Sequence, residues 1–200
     1  MTGSGPPPWV SIAGCGQAIG PSRRGWHHGR MPEPLILRRL TSADEAQAKA
    51  ADRDLRADGF QFLPGGAGQS WADFLRRTEL HEQGIDLPTG IVPDSFLVGV
   101  VRDHIVGRVS IRHELNDHLR RIGGHIGYAV RPAFRRRGYA TEMLRQSLPL
   151  AAELGIEAAL VTCDDNNLGS IKVIEACGGV LEDVVATDTV PKRRYWIRTR

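Results

Sequence analysis

A strand, a short basic loop, a helix and a second strand follow one another between residues 125 and 163, and this order limits the fold more than any other feature. The first strand is predicted at 125–130, and the second strand covers 158–163. The helix opens around Gly138 and reaches about Leu154, with a kink or an early end expected at Pro149. Two strands joined through a helix in this way lie parallel, with a right-handed crossover. The segment therefore predicts an α/β domain in which these strands, the fourth and fifth of the chain, are parallel.

The rest of the chain adds five strands and three helices to this unit. Asp103-His104 is a tight turn between two alternating strands, which predicts an antiparallel hairpin. A Ser42-x-x-Glu45 pattern indicates a capping box at the start of the first helix. The order βααβββαβαββ predicts an α/β fold in the broad sense, of the α+β kind because most strands are antiparallel. It consists of a central mixed, mostly antiparallel seven-stranded sheet and four flanking helices. The additional elements are predicted at 35–37, 42–57, 70–83, 95–102, 105–113, 167–177, 180–185 and 194–198.

The N-terminal segment differs in composition from the rest. Residues 1–33 are rich in Gly, Pro and Ser and show neither strand nor helix periodicity, so we predict a disordered tail. Met31 is an alternative start, in which case the thirty preceding residues are a mis-assigned beginning. The folded domain is predicted to cover residues 34–200.

The net charge of +3 arises in this tail. Residues 1–30 contain Arg23, Arg24 and Arg30 and no Asp or Glu, so the remaining residues are formally neutral. Domains that bind nucleic acid are usually strongly basic. The charge distribution therefore argues against a nucleic-acid partner.

Neither a membrane nor a metal is expected as a partner. The longest apolar stretches are strand-sized, well below the about 18 residues that a membrane helix needs. The three cysteines, Cys15, Cys163 and Cys177, are odd in number and lack the C-x-x-C spacing of a zinc site. We expect a reducing, cytoplasmic setting.

The basic loop before the third helix combines three features that favour an anion. Free N–H groups at a helix N-terminus and the helix dipole both attract negative charge. Gly138 and Ala140 allow a close approach to these amides, and Arg135, Arg136 and Arg137 add donors and charge. The loop is predicted to bind an anion such as pyrophosphate.

The pattern R-x-x-G-x-A at Arg135, Gly138 and Ala140 resembles the acyl-CoA pyrophosphate loop of the GNAT superfamily of N-acyltransferases. The string GHIGYAVRP at 124–132 is similar to that family's fourth strand, and Asn167 with Ser170 matches the N-x-x-S of its fourth helix. With the element order, the resemblance covers about residues 35–198, and it is nearest to a predicted-acetyltransferase subgroup.

This resemblance implies acetyl-CoA as cosubstrate and no metal. It implies transfer of an acetyl group to a primary amine of a small-molecule or peptide acceptor, by a protein that is a monomer or a homodimer. The backbone N–H of Val130 would stabilise the oxyanion. The residues that it assigns to the cosubstrate are Ala129, Val130, Arg135, Arg136, Arg137, Gly138, Tyr139, Ala140, Asn167 and Ser170.

Catalytic residues are less well defined by the sequence. His125, where many relatives carry a glutamate, and Glu114 are the candidates for the general base. Ile174 occupies the position at which the resemblance implies a tyrosine acid, so Tyr195 or Tyr128 would have to replace it, or solvent would protonate the thiolate. The missing tyrosine leaves a non-catalytic acyl-CoA-binding or regulatory module as the alternative to an enzyme.

Overall fold

The fold is seen in a computed structural model that describes residues 34–200; the predicted tail lies outside the described residues. Within that range the predicted order of seven strands and four helices is found. The strands are β1 Leu35–Arg38, β2 Asp94–Val101, β3 His104–Arg112, β4 Ile126–Val130, β5 Ala158–Asp164, β6 Val180–Val185 and β7 Lys192–Arg198. The helices are α1 Glu45–Arg56, α2 Trp71–Glu82, α3 Tyr139–Glu153 and α4 Leu168–Ala176.

The strands form two sheets, so the prediction of one seven-stranded sheet is wrong. β1, β2, β3 and β4 make an antiparallel sheet in that order, and β5, β7 and β6 make a second antiparallel sheet. No ladder of hydrogen bonds joins β4 to β5 among these strands. Strand patterning shows which segments are extended but not which neighbours they pair with, and the parallel orientation of β4 and β5 stays a prediction.

Alternating side chains of β2 contact the two helical layers. Phe96, Val98 and Val100 pack with residues of α1 and α2. Leu97 and Val101 face the opposite way and pack with Met143 and Leu144 of α3 and Ile174 of α4. Because successive strand residues point to opposite faces, a continuous apolar run is buried on both sides. The sheet is therefore sandwiched between two helix pairs.

Two helix details differ from the sequence expectation. The capping box lies one residue earlier than predicted, because Asp44 rather than Glu45 accepts the hydrogen bond from the Thr41 N–H, at 2.7 Å. The third helix runs to Glu153 with Pro149 inside it, although an early end was one expectation there. Packing of Ala151 and Ala152 into the core holds the turn beyond the proline.

β4 and β5 meet at a single point and then separate. The His125 N–H donates to the Leu160 carbonyl at 2.7 Å, and the Leu160 N–H donates to the His125 Nδ1 at 2.9 Å. Gly124, just before this contact, has a φ of +67°. Beyond it the strands diverge, and α4 and the loop before α3 border the space between them. We call this space the fork.

Candidate active site

A cavity of about 620 Å³ lies in the fork. β4 forms one wall, the loop before α3 and the start of α3 form the floor, and the start of α4 forms the other wall. The end of α1 and the chain after it complete the rim. The lining residues are Leu55, Asp58, Phe60, Tyr128, Ala129, Val130, Phe134, Arg135, Arg136, Gly138, Tyr139, Ala140, Thr141, Asn167, Gly169, Ser170 and Val173.

The edge of β4 that faces the cavity carries backbone groups that no neighbouring strand pairs with. Arg112 donates its N–H to the His125 carbonyl, and the Arg131 N–H donates to the Val106 carbonyl, so odd-numbered residues of β4 are bonded to β3. In an antiparallel pair the intervening residues point their N–H and C=O groups the other way. Tyr128 and Val130 therefore direct theirs into the fork, where no strand pairs with them. This edge can accept an extended ligand in place of a strand.

The start of α3 provides a second set of free backbone donors. Gly138, the N-cap, has a φ of +81° and supplies no side-chain cap, and Glu142 is the first helix residue whose N–H bonds back to it, at 3.0 Å. The amides of Tyr139, Ala140 and Thr141 thus remain available. A Cβ added to Gly138 would meet no atom within 4 Å, so the space in front of these amides is open. These free amides, with the open space in front of them, fit a pyrophosphate group.

The three arginines of this loop have different positions. Arg135 lines the cavity; its Nε donates to the Val130 carbonyl at 3.0 Å, and its Nη2 forms an ion pair with Asp58. Arg136 also lines the cavity and has a φ of +59°, a left-handed conformation that is costly for a residue with a Cβ. Arg137 is turned away, with its guanidinium 5.7 Å from the centre of the Phe134 ring.

The start of α4 contributes polar groups from the opposite wall. The Asn167 Oδ1 accepts the Ser170 N–H at 3.0 Å and so caps the helix. The Tyr128 hydroxyl reaches across the fork to the Ser170 carbonyl at 3.5 Å, the long limit of a hydrogen bond. Burial raises the pKa of the Tyr128 phenol, which keeps it protonated. Tyr128 thus places a neutral O–H group inside the cavity.

The residues expected at the cosubstrate come together, with one exception. Nine of these ten residues line the cavity: Ala129, Val130, Arg135, Arg136, Gly138, Tyr139, Ala140, Asn167 and Ser170. Arg137 alone is absent from the lining. The geometry combines an open strand edge with a helix N-terminus at one cavity, as the sequence resemblance implies.

Comparison with known families decides which family this geometry belongs to. The chain matches the family model of the acetyltransferase (GNAT) domain over residues 34–180. The chain belongs to the GNAT acetyltransferase family. This confirms the predicted family and the predicted class of acyl-CoA-dependent acyltransferases. A search of curated proteins gives no match.

Solved structures with the same fold cover most of the GNAT chain at low sequence identity. A putative acetyltransferase from Salmonella typhimurium, solved with its cofactor acetyl-CoA, is 14% identical, with a TM-score of 0.57 over 83% of this chain and 94% of that one. Ribosomal-protein-S5-alanine acetyltransferase from Vibrio fischeri is 17% identical, with a TM-score of 0.59 over 82% and 93%. Mycobacterium smegmatis RimJ, solved with CoA-disulfide, is 19% identical, with a TM-score of 0.59 over 82% and 81%.

The candidate base His125 lies at the vertex of the fork rather than in the cavity lining. Its side chain is 8% exposed and its Nδ1 is occupied by the Leu160 N–H. Burial, with Arg120 and Arg112 nearby, lowers the pKa of His125 to about 4. These contacts favour a structural role for His125 in the GNAT domain, as the joint between β4 and β5.

The other two catalytic candidates also lie outside the cavity lining. Glu114 is exposed in the chain after β3. Tyr195 is 1% exposed in the core under α4, with its hydroxyl 3.4 Å from the Glu175 Oε1. Ile174, at the position of the usual tyrosine, is also in the core, and Val173 beside it lines the cavity. None of the three catalytic candidates, His125, Glu114 and Tyr195, lines the cavity.

The cavity includes residues that the sequence did not single out. Leu55, Asp58 and Phe60 come from the end of α1 and the chain after it, and Phe134 comes from the loop before α3. The sequence predicts that the first helix ends at residue 57, but nothing in it shows that the next residues meet the loop at residue 135.

Among residues 34–200, no group of three or more His, Cys, Asp or Glu could hold a metal ion. None of the described helices has the length and apolar character to span a membrane.

The depressed pKa of His125 makes stability depend on pH. The unfolded chain binds a proton at His125 near pH 6.5, whereas the folded protein resists it until about pH 4, so stability falls as pH drops through this window. We expect the free energy of unfolding to fall by about 2 kcal/mol between pH 7 and pH 5 on this account. Urea unfolding at the two pH values should show most of this loss disappear in His125→Gln.

The exposed His118 offers a matched control for that measurement, since it lies outside the fork. The variant His118→Gln is expected to keep the wild-type dependence on pH. If His125→Gln retains the full loss between pH 7 and pH 5, the buried imidazole is not the cause.

Proposed function

We propose that the chain transfers an acetyl group from acetyl-CoA to a primary amine of a small-molecule or peptide acceptor. The observation that carries this proposal is the convergence of the free β4 edge and the free α3 amides on one cavity of about 620 Å³. Acetyl-CoA has an anionic pyrophosphate and an extended amide-containing arm, and these two chemistries match the two sets of donors.

The proposed placement assigns the pyrophosphate to the free amides of residues 139–141, with Arg136 as the cation at the cavity wall. The amide-containing arm would pair with the backbone groups of Tyr128 and Val130. This leaves the thioester beside β4, further into the fork. Asn167 and Ser170 would border the arm from the α4 side.

The reaction consists of the attack of a neutral amine on the thioester carbonyl. A carbon–nitrogen bond forms, the carbon–sulfur bond breaks, the ammonium proton passes to water, and the sulfur leaves as a thiolate. We propose that the Val130 N–H stabilises the developing oxyanion, as preorganised backbone donors do in acyl transfer. Because His125, Glu114 and Tyr195 lie outside the cavity lining, solvent is the proposed proton acceptor.

We propose that the Tyr128 hydroxyl, a protonated O–H group that lines the cavity, donates a hydrogen bond to the departing thiolate. A thiolate with a pKa of about 8.5 leaves without strong help, so the effect is expected to be modest. Tyr128→Phe should lower kcat by about 10-fold and leave the affinity for CoA nearly unchanged. Steady-state kinetics with calorimetry of CoA binding separates the two quantities.

The matched control for this variant is Tyr195→Phe, which removes a buried hydroxyl outside the cavity. It is expected to keep the wild-type kcat. Equal kcat values for Tyr128→Phe and the wild type would mean that solvent, and not Tyr128, assists the departing thiolate.

The function is tested by incubating the full chain with acetyl-CoA and a panel of primary amines. Thiol release and an acetylated product identified by mass are the expected results. Binding of acetyl-CoA without thiol release for any amine would favour the non-catalytic module instead.

A further inference from the structure

Three arginines lie together on the face of the first sheet that is turned toward α1 and α2. Arg108 and Arg112 of β3 flank Ser110, and residues two apart in a strand share a face. Arg77 of α2 is electrostatically coupled to Asp94, the residue directly opposite Arg112 on β2. We call Arg77, Arg108 and Arg112 the arginine cluster.

The guanidinium groups of the cluster contact carbonyls and rings rather than carboxylates. Arg108 is 8% exposed, donates from Nη1 to the carbonyls of Gln61 and Phe62 at 2.9 Å, and lies 5.0 and 4.9 Å from the ring centres of Phe60 and Phe96. Its Nε is buried and has no hydrogen-bond partner within the described chain.

The other two arginines follow the same pattern. Arg112 donates from Nη1 to the carbonyls of Gly123 and Gly124, at 3.2 and 3.1 Å. Arg77 donates to the Pro64 carbonyl at 2.7 Å and to the Gln69 Oε1 at 3.2 Å. None of the ion pairs found within residues 34–200 includes a member of the cluster.

The carboxylates near the cluster do not balance its charge. Asp94 accepts the Ser110 hydroxyl at 2.5 Å and is the acidic group shared by all three arginines. Asp52 also acts on Arg108, but its carboxylate is paired with Arg56. Three buried or half-buried cations thus share one uncommitted carboxylate. Buried positive charge without a carboxylate partner is unfavourable, so the arginine cluster favours the binding of an anion.

The cluster borders the proposed reaction site. Arg108 is opposite Ala129 in the β3–β4 register, and both Ala129 and Phe60, which packs on Arg108, line the cavity. A Cβ on Gly127 of β4 would lie 3.5 Å from the Arg112 Nη1. The guanidinium groups therefore adjoin the face of β4 that is opposite the α3 and α4 layer.

We propose that the arginine cluster binds an anionic group of the acceptor, so that the acceptor is an amine that also carries a carboxylate or a phosphate. This inference rests on the proposed acetyl transfer. A guanidinium presents planar N–H donors that suit both anions, and the Nε and Nη2 of Arg112 are not used by the carbonyls that hold its Nη1. Nearby cations also make an ammonium group more acidic, which helps to supply the neutral amine without a dedicated base.

The test uses matched pairs of amines with acetyl-CoA and the full chain. The pairs are β-alanine with β-alaninamide for the carboxylate and phosphoethanolamine with ethanolamine for the phosphate, with spermidine as a cationic amine. We expect kcat/KM to be about 10-fold or more higher for the anionic member of at least one pair, and that pair identifies the anion. Spermidine should be a poor acceptor.

Arg112→Gln is the decisive variant, because Arg112 is less buried than Arg108 and glutamine keeps amide N–H donors at this position. It should raise KM for the preferred anionic amine about 10-fold and leave its neutral partner unchanged. Arg145→Gln, on the exposed face of α3, is the matched control and should resemble the wild type. Arg112→Lys should recover part of the preference, since the positive charge is retained.

The outcomes separate the two proposals. Equal rates within both pairs, a preference for the neutral members, a preference that survives Arg112→Gln, or no turnover of any amine overturns the anionic acceptor. Thiol release with any amine, the neutral members included, tests the proposed function by itself, and calorimetry in the same samples tests its acetyl-CoA binding. If acetyl-CoA does not bind, the proposed function fails as well.

Discussion

Gly138→Asp is expected to weaken CoA binding by about 100-fold or more. The substitution places a carboxylate in front of the free amides at the start of α3, in the space that the pyrophosphate would occupy. Two like charges about 4 Å apart repel by several kcal/mol at the effective dielectric constant of a protein surface, and every 1.4 kcal/mol is a factor of ten in affinity. Isothermal calorimetry with CoA measures the change directly.

Gly155→Asp is the matched control for that variant. Gly155 has a φ of +82°, a Cβ there would also meet nothing within 4 Å, and the residue lies past the other end of α3. Both variants carry the same left-handed strain of about 1 kcal/mol and the same charge change. Because a carboxylate is favourable at a helix N-terminus and unfavourable near a C-terminus, we expect Gly155→Asp to lower Tm at least as much as Gly138→Asp but to keep normal CoA affinity. Normal affinity in Gly138→Asp would remove the pyrophosphate from this loop.

Gly124→Ala is expected to lower the free energy of unfolding by about 3 kcal/mol, or Tm by roughly 6–12 °C. A Cβ at residue 124 would lie 2.5 Å from the Leu160 carbonyl oxygen and 3.3 Å from the Val161 Cα. Both obstacles are backbone atoms of β5, so neither can rotate away. The backbone contact between His125 and Leu160, which joins the two sheets, has to break or shift.

Gly90→Ala separates this clash from backbone strain. Gly90 has a φ of +81° and a Cβ there would meet nothing within 4 Å, so only the left-handed conformation is penalised, by about 1 kcal/mol. Thermal unfolding of the two variants should therefore differ clearly. Equal losses would mean that the vertex of the fork tolerates displacement of β5.

Most residues that the sequence proposes for the cosubstrate line the cavity, because their chemistry is local in sequence. Gly138 and the arginines before it lie within a few residues of the helix start, and the properties of a helix N-terminus do not depend on the rest of the fold. Asn167 was proposed from its resemblance to the family's N-x-x-S pattern, and in the structure this spacing is that of a helix cap. Arg137 is not part of the lining, and its guanidinium packs on the Phe134 ring.

The two-sheet arrangement and the catalytic residues could not be read in the same way. Whether β4 pairs with β5 depends on one contact between residues 35 positions apart, His125 and Leu160. The sequence shows a histidine, whose ordinary pKa near neutrality suits a general base. It does not show that a backbone N–H already occupies the Nδ1 of His125. Arg108 has the alternating position of an exposed strand residue, and only the chain at Gln61 and Phe62, which covers it, makes it buried.

Hydrogen exchange of the backbone amides with and without acetyl-CoA tests the central claim, that the fork holds the cosubstrate. We expect slower exchange at Tyr128, at Val130 and at residues 139–141 on binding. The opposite edge of the same sheet, β1, provides an internal reference and should exchange at an unchanged rate. Binding of acetyl-CoA with no protection at these five amides would show that the cosubstrate is not held in the fork.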